Sequence, residues 1–277
     1  MADKKDTANN KQSGGMKFPT EVIDLPSGGN LYSEDSPLRG GKIELKYMTA
    51  KEEDILTSQN LIKKGVVIDM LLNSLIATPG VDVNDLLLGD KNAVMIASRI
   101  LAYGPEYIVQ ITDPDTGNRK EHTFDLSQLE FKDLPEDLVF EKNEFDFKLP
   151  VMKNVIKFKL LTGFDEKQIN EDLKAMSKIG SDRELTTRMK ATVLSIDGNE
   201  DKSLINNFVD NMLSRDALAF RKQLRMLQPD IEVKQEITTE EGNTVEVAIP
   251  MTVGFFWPSD WLSEKHTRTD IHFDASQ

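Results

Sequence analysis

Carboxylates are the side chains through which this chain could do acid–base or hydrolytic chemistry, and they form two tight groups, Glu52-Glu53-Asp54 and Asp165-Glu166. A glycosidase-type reaction needs two carboxyl groups facing each other across a cleft, roughly 5–9.5 Å apart. Each group instead follows a threonine three residues before an acid, in Thr49-Ala50-Lys51-Glu52 and Thr162-Gly163-Phe164-Asp165. That spacing places the acids in the first turn of a helix, where negative charge complements the helix dipole, so capping accounts for them without catalysis. The three histidines, His122, His266 and His272, form no His-Glu-x-x-His or equivalent pattern. With no cysteine in the chain, disulfides, thiolate metal sites and a cysteine nucleophile are excluded. Asp113-Pro114-Asp115-Thr116-Gly117-Asn118 opens like a calcium loop, but its glycine comes one position early and Phe124 stands where the bidentate glutamate belongs. Between two alternating segments it reads as a hairpin turn. Ser13-Gly14-Gly15 and Pro26-Ser27-Gly28-Gly29 lack the lysine and following helix of a phosphate loop, and no Gly-x-Ser-x-Gly elbow occurs. The expectation is a protein without catalytic residues, cofactor or metal.

The elements that would position these residues belong to a chain of 277 residues, enough for one large domain or two ordinary ones. Hydrophobic residues make up 39% and charged residues 29%, as in soluble globular proteins. No apolar run reaches the length of a membrane span, and no hydrophobic stretch follows Met1–Asp6, so no secretory signal is expected. With 34 lysines and arginines against 47 acids the net charge is −13, which repels phosphate backbones and makes nucleic acid an unexpected partner. No small-molecule substrate is indicated either.

Residues 1–41 are expected to be a disordered N-terminus (1–17) followed by an extended arm (18–41). Pro19, Pro26 and Pro37 with Gly28-Gly29 and Gly40-Gly41 argue against regular elements in it. Leu25, Leu31 and Tyr32 are its apolar anchors, and it either wraps its own domain or reaches a neighbouring subunit. Beyond it a pattern recurs. Ile43–Tyr47 and Ile156–Leu160 alternate as strands, each followed by the threonine-led helix start, 113 residues apart. Helices are expected at Leu71–Gly80 and, 118 residues on, at Met189–Gly198; then at Asp90–Pro105 and, 124 on, at Ser214–Pro229. Tyr107–Leu126 and Ile231–Val247 both read as strand, turn, strand, with Gly117-Asn118 matching Gly242-Asn243. The growing offsets are those of loop insertions within a duplicated strand–helices–hairpin unit. The fold class is therefore α+β, with two similar lobes at 42–150 and 151–262, the N-terminal arm, and a polar tail at 263–277.

Two further features are candidate partner-binding surfaces. Phe255-Phe256-Trp257-Pro258-Ser259-Asp260-Trp261 holds both tryptophans, and Pro258 interrupts any strand there. Phe255, Phe256, Trp257 and Trp261 either plug the second lobe's core or form an exposed aromatic anchor for another protein. The helix at Ser214–Gln228 mixes Leu218, Leu224 and Leu227 with Arg215, Arg221, Lys222 and Arg225, a basic face that could meet an acidic partner or simply be solvated.

Several segments together resemble the T4-like phage baseplate hub proteins of the gene-26-product type. These are Leu25–Tyr32 (LPSGGNLY), Ile43–Leu56 (IELKYMTAKEEDIL), Phe158–Gly163 (FKLLTG), Ser195–Gly198 (SIDG), Phe208–Arg221 (FVDNMLSRDALAFR), Pro229-Asp230, Ile249-Pro250 and Phe255–Pro258 (FFWP). No piece is specific alone; their order and spacing from about residue 19 to 262 are. The resemblance implies a virion tail baseplate component, synthesised in the host cytoplasm and used in building the hub of a contractile tail. Its expected partners are other hub or tail proteins or copies of itself. Cysteine pairs of a zinc-knuckle kind belong to such turns in relatives, whereas here the turns read Thr112–Asn118 (TDPDTGN) and Thr238–Asn243 (TTEEGN), so no zinc role is carried over. Two other readings stand beside a structural or assembly component: a transient tail assembly chaperone absent from the mature virion, and a tail-associated hydrolase using carboxylates.

Overall fold

The computed structural model describes residues 19–135, 142–177, 183–251 and 253–257. The expectations for residues 1–18, for Trp261 and for the 263–277 tail lie outside these residues.

The first surprise is in the arm. Thr20–Asp24 forms a strand, β1, antiparallel to β2 (Lys42–Lys46), with Thr20 opposite Lys46 and Asp24 opposite Lys42. The expectation of no regular element fails because the prolines flank the strand rather than interrupt it. Pro19 precedes it, Pro26 follows it, and Pro37 opens a short 3-10 turn (Pro37–Gly40), where a missing N–H costs nothing. The glycines let the two sides of the loop touch. At Gly29 (φ 80°) a Cβ would lie 2.4 Å from the Arg39 carbonyl oxygen, and at Gly41 (φ 67°) 2.6 Å from the backbone of Gly28. The Leu25 N–H then closes the loop on the Gly41 carbonyl at 2.8 Å.

Helices α1 (Ala50–Leu56), α2 (Gln59–Lys64) and α3 (Val67–Leu75) follow β2, and α4 (Leu88–Tyr103) leads into the hairpin β3 (Glu106–Thr112) and β4 (Arg119–Asp125). The helix expected at 71–80 ends at Leu75 because the next residue, Ile76, bridges Leu45 of β2. The chain continues through β5 (Phe145–Lys148), β6 (Val155–Phe158), α5 (Gly163–Ser177), α6 (Glu184–Thr192), β7 (Val193–Ile196), α7 (Lys202–Asp210) and α8 (Ser214–Leu227). It ends in the hairpin β8 (Lys234–Thr238) and β9 (Thr244–Ala248). The helix expected at 189–198 stops at Thr192 for the same reason as α3: Val193 turns out to pair with Phe158 of β6. β5, β6 and β7 form one antiparallel sheet in that order. The observed class is thus α+β, built of strand hairpins and helices.

Two apolar cores organise these elements. The first gathers Leu25, Ile43 and Leu45 with the inner faces of α3 and α4 and with Tyr107 and Phe124 of the first hairpin. The second gathers Leu149, Ile156 and Phe158 with Met189, Val193, Ile205 and Phe220. Fully burying each such side chain contributes about 1.5–3 kcal/mol. The cores do not follow the expected division at residue 150. Ile231, Ile237 and Ile249, placed by the sequence in the second lobe, join the first core. The β8–β9 hairpin carries Ile237, Val245 and Val247 on one face, and it covers them against the first core. Leu31 and Leu87, from the first half of the chain, enter the second core.

Candidate functional site

The arm anchors meet at the N-terminus of α4. Asp90, the third residue of that helix, is fully buried. Its Oδ1 accepts the Ser27 N–H at 2.9 Å, and its Oδ2 accepts the Ser27 hydroxyl at 2.7 Å and the Tyr32 hydroxyl at 2.5 Å. The Tyr32 oxygen in turn accepts the Leu87 N–H at 2.9 Å, and Arg39 Nη1 holds the Asn30 and Tyr32 carbonyls. Burial pushes the Asp90 carboxyl above its ordinary range, with the Tyr32 and Ser27 hydrogen bonds pulling the other way. Burial and the neighbouring Asp90 push the Tyr32 phenol up, so it keeps its proton and donates it. Leu25 is buried in the first core, Leu31 in the second, and Tyr32 touches both. These three anchors are therefore engaged by the chain itself.

The described part of the aromatic segment, Phe255–Trp257, is also turned inward. Phe255, Phe256 and Trp257 are buried in the first core, not the second as expected. Phe255 stands edge-on to Tyr107 at 5.0 Å and to Phe256 at 5.4 Å. The reason is Arg99 of α4, a buried cation 5% exposed. It donates from Nε to the Phe255 carbonyl at 3.0 Å and from Nη1 to the Gly104 carbonyl at 3.2 Å. Its guanidinium lies over the Tyr103 ring at 4.9 Å, and desolvation lowers its pKa. The Tyr107 hydroxyl completes the attachment by donating to the Pro250 carbonyl at 3.0 Å.

The two hairpin turns, where the resemblance placed cysteine pairs, face each other. Asp113 takes the Asp115 and Thr116 N–H groups on Oδ1, and Lys120 Nζ (2.8 Å) and the Glu240 N–H (2.9 Å) on Oδ2. The Lys120 hydrogen bond, against the opposing effect of burial, holds its carboxyl well below the usual range. Thr116 and Asn118 donate to Glu240, and Thr239 and Asn243 donate to Asp115. The 113–118 segment is the turn the sequence indicates, and its carboxylates are occupied by turn and cross-hairpin donors.

Of the carboxylates in the two helix-start groups, Glu52 and Asp165 are caps, and Glu166 is paired with Arg188 at 2.7 and 2.8 Å. Glu52 accepts the N–H and hydroxyl of Thr49 and, at 2.9 Å, Lys46 Nζ. Burial raises its pKa, but those partners outweigh it and bring the value down to about 2. Asp165 repeats the set, accepting the Thr162 N–H and hydroxyl, each at 3.0 Å, and Lys159 Nζ at 2.7 Å. Of two open depressions, one of about 800 Å³ carries Glu184 and Asp210, ion-paired to Arg188 and Lys190. The other, about 620 Å³, is lined by apolar residues such as Met152, Ile196, Leu204 and Phe208 together with four asparagines and Asp197. Among the described residues no group of three or more histidines or acids is placed to hold a metal.

Asp90, Asp216 and Arg99 were missed from the sequence. Asp216, also third in its helix and fully buried, accepts the Val151 and Met152 N–H groups at 2.7 and 2.9 Å. An acid in the first turn of a helix reads as a dipole effect; the available signal was the apolar run Leu86-Leu87-Leu88 that draws Asp90 inside.

A family model described as T4 bacteriophage base plate protein matches residues 18–257. No curated protein matches the chain. No solved structure matches it either. Among the described residues no helix is long and apolar enough to cross a membrane.

Proposed function

Because the chain belongs to the T4 bacteriophage base plate protein family, we infer that it is a structural or assembly component of the central baseplate hub of a contractile-tailed phage, working through protein–protein contacts in the virion tail. The family match over residues 18–257 is the observation that carries this reading. The commitment of the Glu52, Asp165, Asp113 and Asp115 carboxylates to caps and turns supports a role without catalysis. Quantitative mass spectrometry of purified particles and of hub intermediates from infected cells tests it. Stoichiometric chain in both is the expected result. Presence in intermediates alone would make it a transient assembly chaperone, and absence from both would sink the hub role.

The same reading extends to the architecture, as a duplicated unit. Leu25-Pro26 leads from β1 into a loop closed by the Leu25 N–H, and Leu149-Pro150 leads from β5 into one closed by the Leu149 N–H on the Asn154 carbonyl at 2.9 Å. Gly29 and Lys153, each four residues past its leucine, both have positive φ, 80° and 65°. Lys46, Thr49 and Glu52 correspond to Lys159, Thr162 and Asp165, and aligning α4 with α8 by their first residues, two positions away from the sequence alignment, sets the buried Asp90 against Asp216. The arm is on this reading the first strand of the first unit, counterpart to β5. Separate alignments of the two halves across many relatives test the idea. Leucine–proline and lysine–threonine–acid positions that fail to coincide between halves would refute it.

A further inference from the structure

We propose that the outward stripe of α8 is a docking surface for an acidic face of another baseplate protein; the partner's class rests on the hub reading above. Asp216, Phe220 and Leu227 point α8 inward. At helical spacing on the opposite side stand Arg215, Leu218, Lys222 and Arg225, all exposed, flanked by Leu213 and Met226. Leu213, Leu218 and Met226 are 48%, 47% and 45% exposed. The chain carries a net charge of −13, yet this stripe holds three cations and no acid. The single acid of the helix, Asp216, is buried under the Val151 and Met152 amides. Among the described residues Arg215, Lys222 and Arg225 form no ion pair.

A solvated helix face in an acidic protein intersperses its charges, as α5 does with Lys167, Glu171, Asp172 and Lys174 exposed together. The α8 stripe does not. Its cations steer an acidic surface and fix its orientation, and Leu218 among them with Leu213 and Met226 beside them supplies area to remove from water on contact. Nucleic acid fits less well. The remaining charge of the chain repels phosphates, and Leu213, Leu218 and Met226 have no use on a sugar–phosphate backbone.

The test uses the full chain, supplied in trans during infection by a phage that lacks it. The variants are R215E/K222E/R225E, L218S alone, and K167E on α5 as control, each checked for native circular dichroism and melting. Incorporation into baseplates and hub intermediates is measured by mass spectrometry, and carbodiimide cross-linking of the wild-type assemblies reports which carboxylates lie against Lys222. The wild type and K167E should incorporate equally, the triple reversal should fall by about tenfold or more, and L218S should fall between them. Lys222 should cross-link to an aspartate or glutamate of a different chain. A folded triple variant that incorporates at the wild-type level overturns the docking surface while leaving the hub reading intact. So does a short DNA duplex that binds the wild type and loses binding on charge reversal, which would make the stripe a nucleic-acid site. If the triple variant does not fold, L218S and the Lys222 cross-link decide: wild-type incorporation of L218S with no inter-chain cross-link overturns the proposal. A wild-type chain absent from every assembly refutes the hub reading itself.

Discussion

Gly89→Ala reverses sign depending on whether local propensity or packing governs. In the first turn of α4, alanine is favoured over glycine by up to about 1 kcal/mol on helix propensity. The structure opposes this. A Cβ at Gly89 would lie 1.8 Å from the Pro229 carbonyl oxygen, 2.7 Å from its carbon and 2.8 Å from the Asp230 Cα. Carbon–oxygen contacts of this kind settle near 3.3–3.6 Å, so one backbone must retreat by about 1.5 Å. The 229–230 segment is poorly placed to do so. Asn92 holds the Asp230 side chain at 3.0 Å, the Lys132 N–H holds its carbonyl at 2.9 Å, and Ile231 bridges Phe131. Overpacking typically costs about 1–3 kcal/mol, and a 1.8 Å contact with backbone belongs at the upper end, about 3 kcal/mol, leaving a net loss of about 2 kcal/mol after the propensity gain. For a chain of this size that lowers Tm by about 4–8 °C. Gly40→Ala is the control, since nothing lies within 4 Å of its Cβ and its φ is not positive. It should be neutral or stabilising by up to about 1 kcal/mol. Thermal melts followed by circular dichroism decide the matter. If Gly89→Ala melts at or above the wild type, the contact between α4 and the 229–230 strand entrance does not exist as described.

Three further substitutions probe the other joints. The Glu52 pKa of about 2 lies below its ordinary 4.5, so its contribution is full above pH 4.5 and is lost as pH falls towards 2. Denaturant titrations should show about 3 kcal/mol of acid-labile stability between about pH 5 and 2 that Glu52→Gln removes; an unchanged pH slope contradicts the cap. Asp90→Ala strands the Ser27 amide and hydroxyl and the Tyr32 hydroxyl in the interior, and should destabilise by about 3 kcal/mol, read as a shifted urea midpoint. A shift under about 0.5 kcal/mol would mean the arm is not held there. Phe256→Ala should destabilise by about 3–5 kcal/mol and lower hydrogen-exchange protection first in α3 and α4 around the first core. Protection lost only around Ile156 and Val193 would return the aromatic plug to the second core.

Local signals were legible, and their failures have physical causes. Thr49 and Thr162 mark helix starts because a short polar side chain followed by an acid satisfies amides no other residue would reach. The Asp113–Asn118 turn reads correctly because its residue types serve that geometry. The arm was misread because proline and glycine were counted over the whole segment. The strand needs only the five residues between Pro19 and Leu25, and their β-branched content was the better guide. The ends of α3 and α6 were misread for a different reason. Ile76 and Val193 continue the helical apolar period, and only the presence of β2 and β6 alongside converts them to extended backbone.

What the sequence does not reveal is which core a face joins. Alternation along β8 and β9 says that Ile237, Val245 and Val247 share a side; it says nothing of what they face. The answer comes from groups distant in sequence that could be matched only in space. Arg99 reaches the Phe255 carbonyl, Tyr107 reaches that of Pro250, and Asp113 and Asp115 meet Glu240 and Thr239 across the hairpin tips. Each of these ties draws the C-terminal segment onto the first core. In the opposite direction Leu31 and Leu87 pass into the second core, and the Gly163 N–H donates to the Leu86 carbonyl at 2.9 Å. The two cores are thereby cross-stitched, each completed by residues from the other half of the chain. Such an arrangement leaves the α8 stripe with cations that no acid among the described residues pairs, while the arm, through Leu25, Leu31 and Tyr32, joins the two cores and Phe255, Phe256 and Trp257 close the first.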